Sequence, residues 1–186
     1  MARIPYAGEH ASENRSSAMP EAWAGADLPN VTRMLAVASP AVNKGMGDLG
    51  SAFIRGSSLP PTLRELAILR VGYLSDSAYE TWQHESLGRF VGLSDEQIAA
   101  IKAGDAGSKA LSLAERTVLI FVDDVVRNVR AGDDTLEAVR AHLSDTQLVD
   151  LILVCGYYMT ISRLLETTGV DFDAAPIDWH QFMKPG

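Results

Sequence analysis

The chain is poor in cysteine and in positive charge, and both shortages argue against whole classes of protein. Cys155 is the single cysteine among 186 residues, so no internal disulfide is possible. The N-terminus lacks the charged segment and apolar run of a secretory signal peptide, and a reducing cytoplasm is the predicted location. The net charge of −8 argues against a nucleic-acid partner, because such partners are bound through lysine and arginine.

Two further patterns are missing. The sequence has no useful stretch of alternating apolar and polar residues, as in a β-strand, and no apolar run long enough to span a membrane. Apolar residues recur instead at helical spacing along most of the chain, without an internal repeat. The uncharged stretch of the last long helix, residues 151–162, is shorter than the roughly 20 apolar residues that a bilayer requires. The sequence therefore predicts an all-α bundle of about seven or eight helices, with no membrane partner.

The chain is predicted to form one domain, residues 1–186, with a less regular segment at each end. Residues 1–28 are rich in Pro, Ser, Gly and Ala and predict an irregular arm that wraps the domain or docks on a neighbouring subunit. Residues 170–186 predict a packed tail, on the domain or across a subunit boundary, because they carry several large apolar side chains. These are Phe172, Ile177, Trp179 and Phe182.

Capping residues mark where several helices begin and end. A helix is predicted over residues 30–38, and the helix that holds Val129 is predicted to end at Gly132. Asp133 or Asp134 then begins the next helix. Three serines each precede a glutamine or glutamate by three positions, which is the capping-box pattern. They are Ser94, Ser112 and Ser144.

A glycine-rich segment lies within the helix predicted over residues 41–54. Residues 45–50, GMGDLG, satisfy the dinucleotide fingerprint Gly-x-Gly-x-x-Gly. That fingerprint binds a pyrophosphate only between a β-strand and a helix, and no strand precedes these residues. Close helix packing at the glycines is the favoured interpretation, and no cofactor is predicted.

The stretch from residue 60 to residue 91 predicts a helical hairpin with three candidate catalytic side chains. Glu65 lies among apolar residues on the first helix, which ends near Tyr73. Glu80 and His84 lie on the second helix, four positions apart and so within roughly 40° of each other on its surface. The three side chains are interpreted as a proton-transfer cluster, since histidine titrates near neutrality and a carboxylate fixes its tautomer.

Two structural interpretations of the same residues stay open at the sequence level. Glu80 and His84 also fit an ordinary surface pair one turn apart. Glu65 also fits the acid of a capping box that begins at Thr62, although the two prolines before Thr62 suggest an earlier helix start.

Other sites have less support. No metal site is predicted, because the histidines other than His84 lie in unrelated contexts. No Gly-x-Ser-x-Gly nucleophile motif is present. Cys155 predicts an unreactive core thiol, since no cation stands near it in its apolar helix. Asp123 and Asp124 are predicted to be solvated. The remaining histidines are His10, His142 and His180.

Three segments together resemble the carboxymuconolactone decarboxylase family, which also contains the alkylhydroperoxidase D proteins. They are residues 63–70 (LRELAILR), 79–84 (YETWQH) and 92–98 (GLSDEQI), and the likeness extends to residues 169–172 (GVDF). The resemblance implies an all-helical, alkylhydroperoxidase D-like fold that assembles as trimers or hexamers.

The resemblance also implies which residues act. In the peroxidase branch a Glu, a Cys-x-x-Cys pair and a His act together, and the Glu and His positions fall on Glu65 and His84. The two cysteine positions fall on Ser77 and Glu80, whereas Cys155 lies far away in sequence. Thiol peroxidase chemistry therefore lacks its residues, while the decarboxylase branch needs no cysteine.

Residues and resemblance together predict a cofactor-independent acid–base enzyme acting on a small lactone or carbonyl/carboxylate substrate by decarboxylation, isomerisation or hydrolysis. His84 is the predicted general acid/base, with Glu65 or Glu80 as its partner. The candidate substrate-binding residues are Trp82, Tyr79 and Ser77. The alternatives are a peroxidase or antioxidant protein, disfavoured by the absent Cys-x-x-Cys, and a non-catalytic oligomer that binds a ligand.

Overall fold

The computed structural model describes residues 1–7 and 28–182, and every regular element in those ranges is a helix. Eight helices have six or more residues, and a single helical turn follows them, so the predicted all-α bundle is confirmed. Most of the predicted N-terminal arm and the last four residues lie outside the described ranges. The helices are α1 (Asn30–Leu35), α2 (Pro40–Arg55), α3 (Pro61–Leu74), α4 (Ala78–Val91), α5 (Asp95–Ala103), α6 (Leu113–Asn128), α7 (Asp133–Arg140), α8 (Asp145–Thr168) and α9 (Trp179–Phe182).

The helix α3 lies at the centre of the bundle. Its residues 63–72 are all buried, and α4, α5, α6 and α8 pack around it. Burial of each of its large aliphatic side chains stabilises the fold by roughly 1.5–3 kcal/mol. Gly72 lets α4 approach closely, since a Cβ there would lie 2.8 Å from Cγ2 of Thr81. The predicted hairpin of α3 and α4 is therefore a tightly packed pair in the core.

The predicted capping boxes are all formed. In each, the serine hydroxyl accepts a hydrogen bond from the backbone of the third helical residue, whose side chain accepts one from the serine backbone. Each box satisfies two backbone donors that would otherwise lack a partner at the helix start. The pairs are Ser94 with Gln97, Ser112 with Glu115 and Ser144 with Gln147.

The predicted end of α6 is wrong. The helix ends at Asn128, and Val129 follows in the left-handed region with φ at 68°. Gly132 instead precedes α7 as its N-cap residue. A β-branched residue is rarely found at positive φ, so the sequence carried no sign of a turn at Val129. The first helix also ends earlier than predicted, at Leu35.

Asp123 is not the solvated surface residue that was predicted. Its carboxylate accepts hydrogen bonds from Nε and Nη2 of Arg70, a buried side chain of α3. Nη1 of Arg70 donates to the carbonyls of Ile101 and Lys102 at the end of α5. The pair joins three helices, which sequence spacing does not reveal because the partners are 53 positions apart.

The glycine-rich segment lies inside α2 and not at a strand-to-helix turn, so it lacks the geometry of a dinucleotide fingerprint. Close packing was predicted at these glycines and is found at Gly50, where a Cβ would overlap the hydroxyl of Tyr157. A Cβ at Gly45 or Gly47 would meet no atom within 4 Å.

The helix α8 is long and apolar enough to pass for a membrane span by length and composition. It is also the kind of helix found in protein cores, because it packs against α2, α3, α4, α6 and α7. Asp150, part-way along it, accepts hydrogen bonds from Ser57 and Ser58 in the loop before α3. Through these contacts α8 packs as a central helix of the bundle.

Candidate active site

Glu65 is fully buried on α3, and two basic side chains hold its carboxylate. Oε1 accepts a hydrogen bond from Nε of Arg64 at 2.9 Å, and Oε2 lies 2.7 Å from Nδ1 of His84. Arg64 is buried as well, and its Nη1 donates to the carbonyls of Phe53 and Ile54 near the end of α2. A carboxylate in an apolar helix is thus paired on both oxygens, as the burial of a charge requires.

His84 has a carboxylate at each ring nitrogen. Nδ1 contacts Glu65, and Nε2 lies 3.2 Å from Oε1 of Glu80, one turn earlier on α4. The ring of Tyr158 on α8 packs against the imidazole edge to face, with centroids 4.9 Å apart. These contacts fix the orientation of the imidazole.

The two carboxylates also determine the charge of His84. Burial lowers its pKa, but Glu65 and, to a smaller extent, Glu80 more than reverse this effect and raise the pKa to about 9. At neutral pH His84 is therefore an imidazolium that donates from both nitrogens. The side chains form a buried row of alternating charge with no net charge, and the row is Arg64, Glu65, His84 and Glu80.

Neither structural interpretation of these residues holds. The N-cap residue of α3 is Pro60, so Thr62 lies within the helix and caps nothing. Glu80 and His84 are 4% and 6% exposed, which excludes an ordinary surface pair. The three side chains predicted to act together are in contact.

A cavity of about 230 Å³ lies beside Glu80 and His84. About eight molecules of liquid water occupy the same volume. A cavity of this size suits a ligand of about one small ring. The helices α1, α2, α4 and α8 and the C-terminal tail form its walls, and most of its lining is apolar or aromatic. The polar and aromatic lining residues are Thr32, Asn43, Ser51, Arg55, Tyr79, Glu80, Gln83, His84, Tyr157, Tyr158 and Trp179.

Only one of the three candidate substrate-binding residues lines this cavity. Tyr79 does, whereas Trp82 packs outside it against the rings of Tyr79 and Phe172. Trp82 is two positions from Glu80, about 200° around the helix, and so faces away from the cavity. Ser77 is buried at the start of α4, outside the lining, and its hydroxyl has no hydrogen-bond partner among the described residues.

The C-terminal tail closes one side of the cavity, a role that was not predicted. The amide of Gln83 donates from Nε2 to Asp173 at 3.1 Å and accepts at Oε1 from the backbone of Ile177 at 2.9 Å. Asp173 also accepts from the hydroxyl of Tyr79. Ile177 and Trp179 thereby line the cavity, the Trp179 ring lying 6.2 Å from His84. Gln83 lies on the same helix face as Tyr79 and Glu80. This spacing could have identified it as a residue of the site.

Tyr158 is a further residue of the site that the sequence did not indicate. Burial raises its pKa well above the usual value, and the nearby Glu65 and Glu80 add to this effect. The phenol therefore stays protonated and can donate a hydrogen bond into the cavity that it lines. Its place in the apolar helix α8 suggested only core packing.

The remaining chemical groups lie away from this site. Cys155 is fully buried, and burial raises the pKa of its thiol to about 12, so it is the core thiol that was predicted. His142 and His180 do not line the cavity, and His10 lies outside the described residues. Among the described residues no group of three or more His, Cys, Asp or Glu side chains could hold a metal ion.

Comparisons with solved structures find proteins of the same fold. A protein of unknown function from Agrobacterium tumefaciens, suggested to be an antioxidant defence protein AhpD, is 27% identical over 77% of this chain and 96% of its own, with a TM-score of 0.68. A peroxidase-related protein with an alkylhydroperoxidase AhpD core from Ralstonia eutropha is 17% identical over 93% of both chains, with a TM-score of 0.75. The debrominase Bmp8 is 14% identical over 80% of both chains, with a TM-score of 0.70.

No protein-family model matches the chain, and neither does any curated protein. The structural similarities nevertheless confirm the resemblance drawn from the sequence motifs, and the chain has the alkylhydroperoxidase D-like fold. In this chain, Ser77 and Glu80 occupy the positions that the sequence resemblance assigns to the Cys-x-x-Cys pair of the peroxidase branch.

Proposed function

We propose that the protein is a cofactor-independent acid–base enzyme that acts on a small lactone or carbonyl/carboxylate substrate by decarboxylation, isomerisation or hydrolysis. The observation that supports this proposal is the buried Glu80–His84 ion pair on the wall of the 230 Å³ cavity. Glu80 has no polar partner other than His84 among the described residues, so its carboxylate is available to a ligand.

The charges suggest how the pair divides the work. The carboxylate of Glu80 takes a proton from the carbon next to a substrate carbonyl, and the C–H electron pair passes into the enolate. The imidazolium of His84 donates from Nε2 to the enolate oxygen, where negative charge develops. Return of the proton to another carbon gives isomerisation. Loss of carbon dioxide from a substrate carboxylate forms the same kind of enolate, whose carbon then takes a proton from the imidazolium of His84.

Glu65 and Tyr158 support this division. Glu65 keeps His84 charged and holds Nδ1, which leaves Nε2 directed toward Glu80 and the cavity. Tyr158 adds a neutral hydroxyl donor on the cavity wall. The mostly apolar and aromatic lining strengthens each electrostatic interaction with the developing charge.

Exchange of carbon-bound protons tests the proposal. The protein is incubated in D₂O with a panel of small ketones and lactones, and deuterium uptake next to the carbonyl is followed by NMR. We expect uptake above the buffer rate for at least one compound, and losses of roughly 100-fold or more in Glu80→Gln and His84→Gln. Glu166→Gln, an exposed position on α8, is the matched control and should retain the wild-type rate.

Two outcomes contradict the proposal. Full exchange in both site variants would show that the pair is not the catalyst. Binding of panel compounds without exchange, hydrolysis or loss of carbon dioxide, followed by mass spectrometry, would favour the non-catalytic ligand-binding alternative.

The peroxidase alternative rests on the relatives and lacks support in the residues. Cys155 lies away from the cavity, and a thiol whose pKa is raised to about 12 is almost entirely protonated at neutral pH. Hydroperoxide consumption by the wild type and by Cys155→Ser decides the matter. Dithiol-dependent consumption that disappears in Cys155→Ser would revive this alternative.

We also propose a homo-oligomer, a trimer or hexamer, as the resemblance implies. The helix α8 exposes Val149, Ile152 and Leu153 on one face, an apolar stripe that a partner subunit would cover. Light scattering after size exclusion should give a multiple of the 20.0 kDa chain mass. Ile152→Glu should lower that mass, and Ala138→Glu at an exposed position of α7 should not. A monomeric wild type contradicts the proposal.

A cytoplasmic location stays a prediction.

A further inference from the structure

One face of α2 borders the cavity with small and polar residues. The positions recur at the spacing of a single helix face, and they are Asn43, Gly47, Gly50 and Ser51. A Cβ at Gly47 would meet no atom within 4 Å, so the glycine leaves room on the cavity side of the helix. Gly50 lets the hydroxyl of Tyr157 approach and donate to the carbonyl of Met46.

Asn43 is a polar residue of this face with no partner. It is 9% exposed, and its side-chain amide makes no hydrogen bond with any described residue. The amide offers one acceptor oxygen and two donor hydrogens. The polar atoms of this amide open onto the cavity, where water or a ligand can satisfy them. Because Asn43 lines the same cavity as Glu80 and His84, a ligand held there can be that partner.

The rest of the lining restricts what such a ligand can be. The rings of Tyr157, Tyr158 and Trp179 contribute aromatic surface, and Ile54 and Ile161 contribute aliphatic surface. Flat unsaturated rings fit aromatic walls through edge-to-face and offset contacts. The cavity volume of about 230 Å³ limits the ligand to roughly one ring and its substituents.

We infer that Asn43 is a specificity-determining residue whose amide hydrogen-bonds an oxygen of a small, flat, mainly apolar ring compound held against the glycine side of α2. The inference deepens the proposed function, because it names the substrate class of the same site. It concerns binding alone and can be tested without turnover.

The test uses two probes of nearly equal shape, acetophenone and α-methylstyrene, which differ only in the carbonyl oxygen. Their dissociation constants are measured by NMR titration on wild type, Asn43→Leu and Asn43→Ala. We expect the wild type to bind acetophenone about tenfold more tightly than α-methylstyrene, the size of effect that one hydrogen bond gives. Both Asn43 variants should lose this preference while still binding α-methylstyrene.

A matched pair of glycine variants tests the wall independently. Gly47→Leu should fill the cavity and weaken both probes at least tenfold. Gly45→Leu makes the same change on the same helix, with equal free space but outside the lining, and should bind both probes as the wild type does. Thermal unfolding of each variant confirms that it is folded.

The inference is overturned if the wild type binds neither probe, if it binds both equally, or if both Asn43 variants keep the preference for acetophenone. Failure of the proposed function has a different signature. In that case Glu80→Gln would retain full activity toward an identified substrate while the Asn43-dependent preference persisted.

Discussion

Nδ1 of His84 lies 2.7 Å from Oε2 of the fully buried Glu65, and this contact joins the two helices of the central hairpin. The other carboxylate oxygen of Glu65 is held by Arg64. Glu65 therefore controls both the orientation and the charge of the histidine on the cavity wall. The consequences can be measured before a substrate is known.

Replacing Glu65 by Gln should lower the pKa of His84 from about 9, because the nearest negative charge is removed while burial remains. Titration of the imidazole by NMR measures the shift, and Glu166→Gln should leave it unchanged. The variant should also be less stable by on the order of 3–5 kcal/mol, since the buried Arg64 loses its counterion. An unaltered His84 titration in a folded Glu65→Gln protein would contradict the proposed role of Glu65.

Stability should fall as the pH rises from neutrality. The pKa of His84 is about 9 in the folded protein and near 6.5 in an unfolded chain, so its contribution is complete below about pH 6.5 and is lost as the pH approaches 9. The full effect is on the order of 3 kcal/mol. Urea unfolding across this range measures it, with His84→Gln as the comparison. A difference between the two proteins that is constant or grows with pH would refute the assignment.

The neighbouring residues Asp123 and Asp124 allow the contribution of the Arg70–Asp123 pair to stability to be measured. Asp123→Ala should destabilise the protein by about 3 kcal/mol, because it leaves a buried guanidinium without its carboxylate. Asp124 is half-buried and accepts hydrogen bonds from the backbone of Gly132 and the side chain of Thr135, but it faces no buried cation. Asp124→Ala should therefore have a smaller effect. Chemical denaturation of both variants decides the point. Equal losses would mean that the pair is no more important than a surface carboxylate.

Val129 occupies a left-handed conformation that glycine adopts without strain. Val129→Gly should therefore raise the free energy of unfolding by about 1 kcal/mol, since the side chain is exposed and little packing is lost. Asn128→Gly is the matched control, because it adds the same flexibility within α6 and should not stabilise. The explanation fails if both variants change stability in the same direction by the same amount.

Much of the site was predictable because its central residues are close in sequence. Glu80 and His84 are one helical turn apart, and Glu65 lies on the preceding helix of the same hairpin. Proximity alone did not separate a buried cluster from a surface pair or a capping box. Burial of all three side chains decided this, and burial depends on what the rest of the chain packs against them.

The cavity wall was not predictable for the same reason. Asn43 and Tyr158 are separated from His84 by dozens of positions, and neither carries a local signal of function. Trp82 is close to Glu80 in sequence but faces away from the cavity. The error over Asp123 is similar, since its partner Arg70 is brought to it only by the packing of α3 against α6.

The sequence by itself determined the helices, their capping boxes, the central hairpin and the lack of a Cys-x-x-Cys pair. These depend on residue types and on interactions that span three or four positions. Only the tertiary structure decided that His84 is an imidazolium between two carboxylates, that a cavity lies beside it, and that residues of α2, α8 and the tail complete the walls. Charge and cavity shape depend on burial and on contacts between distant parts of the chain, which a linear pattern does not contain.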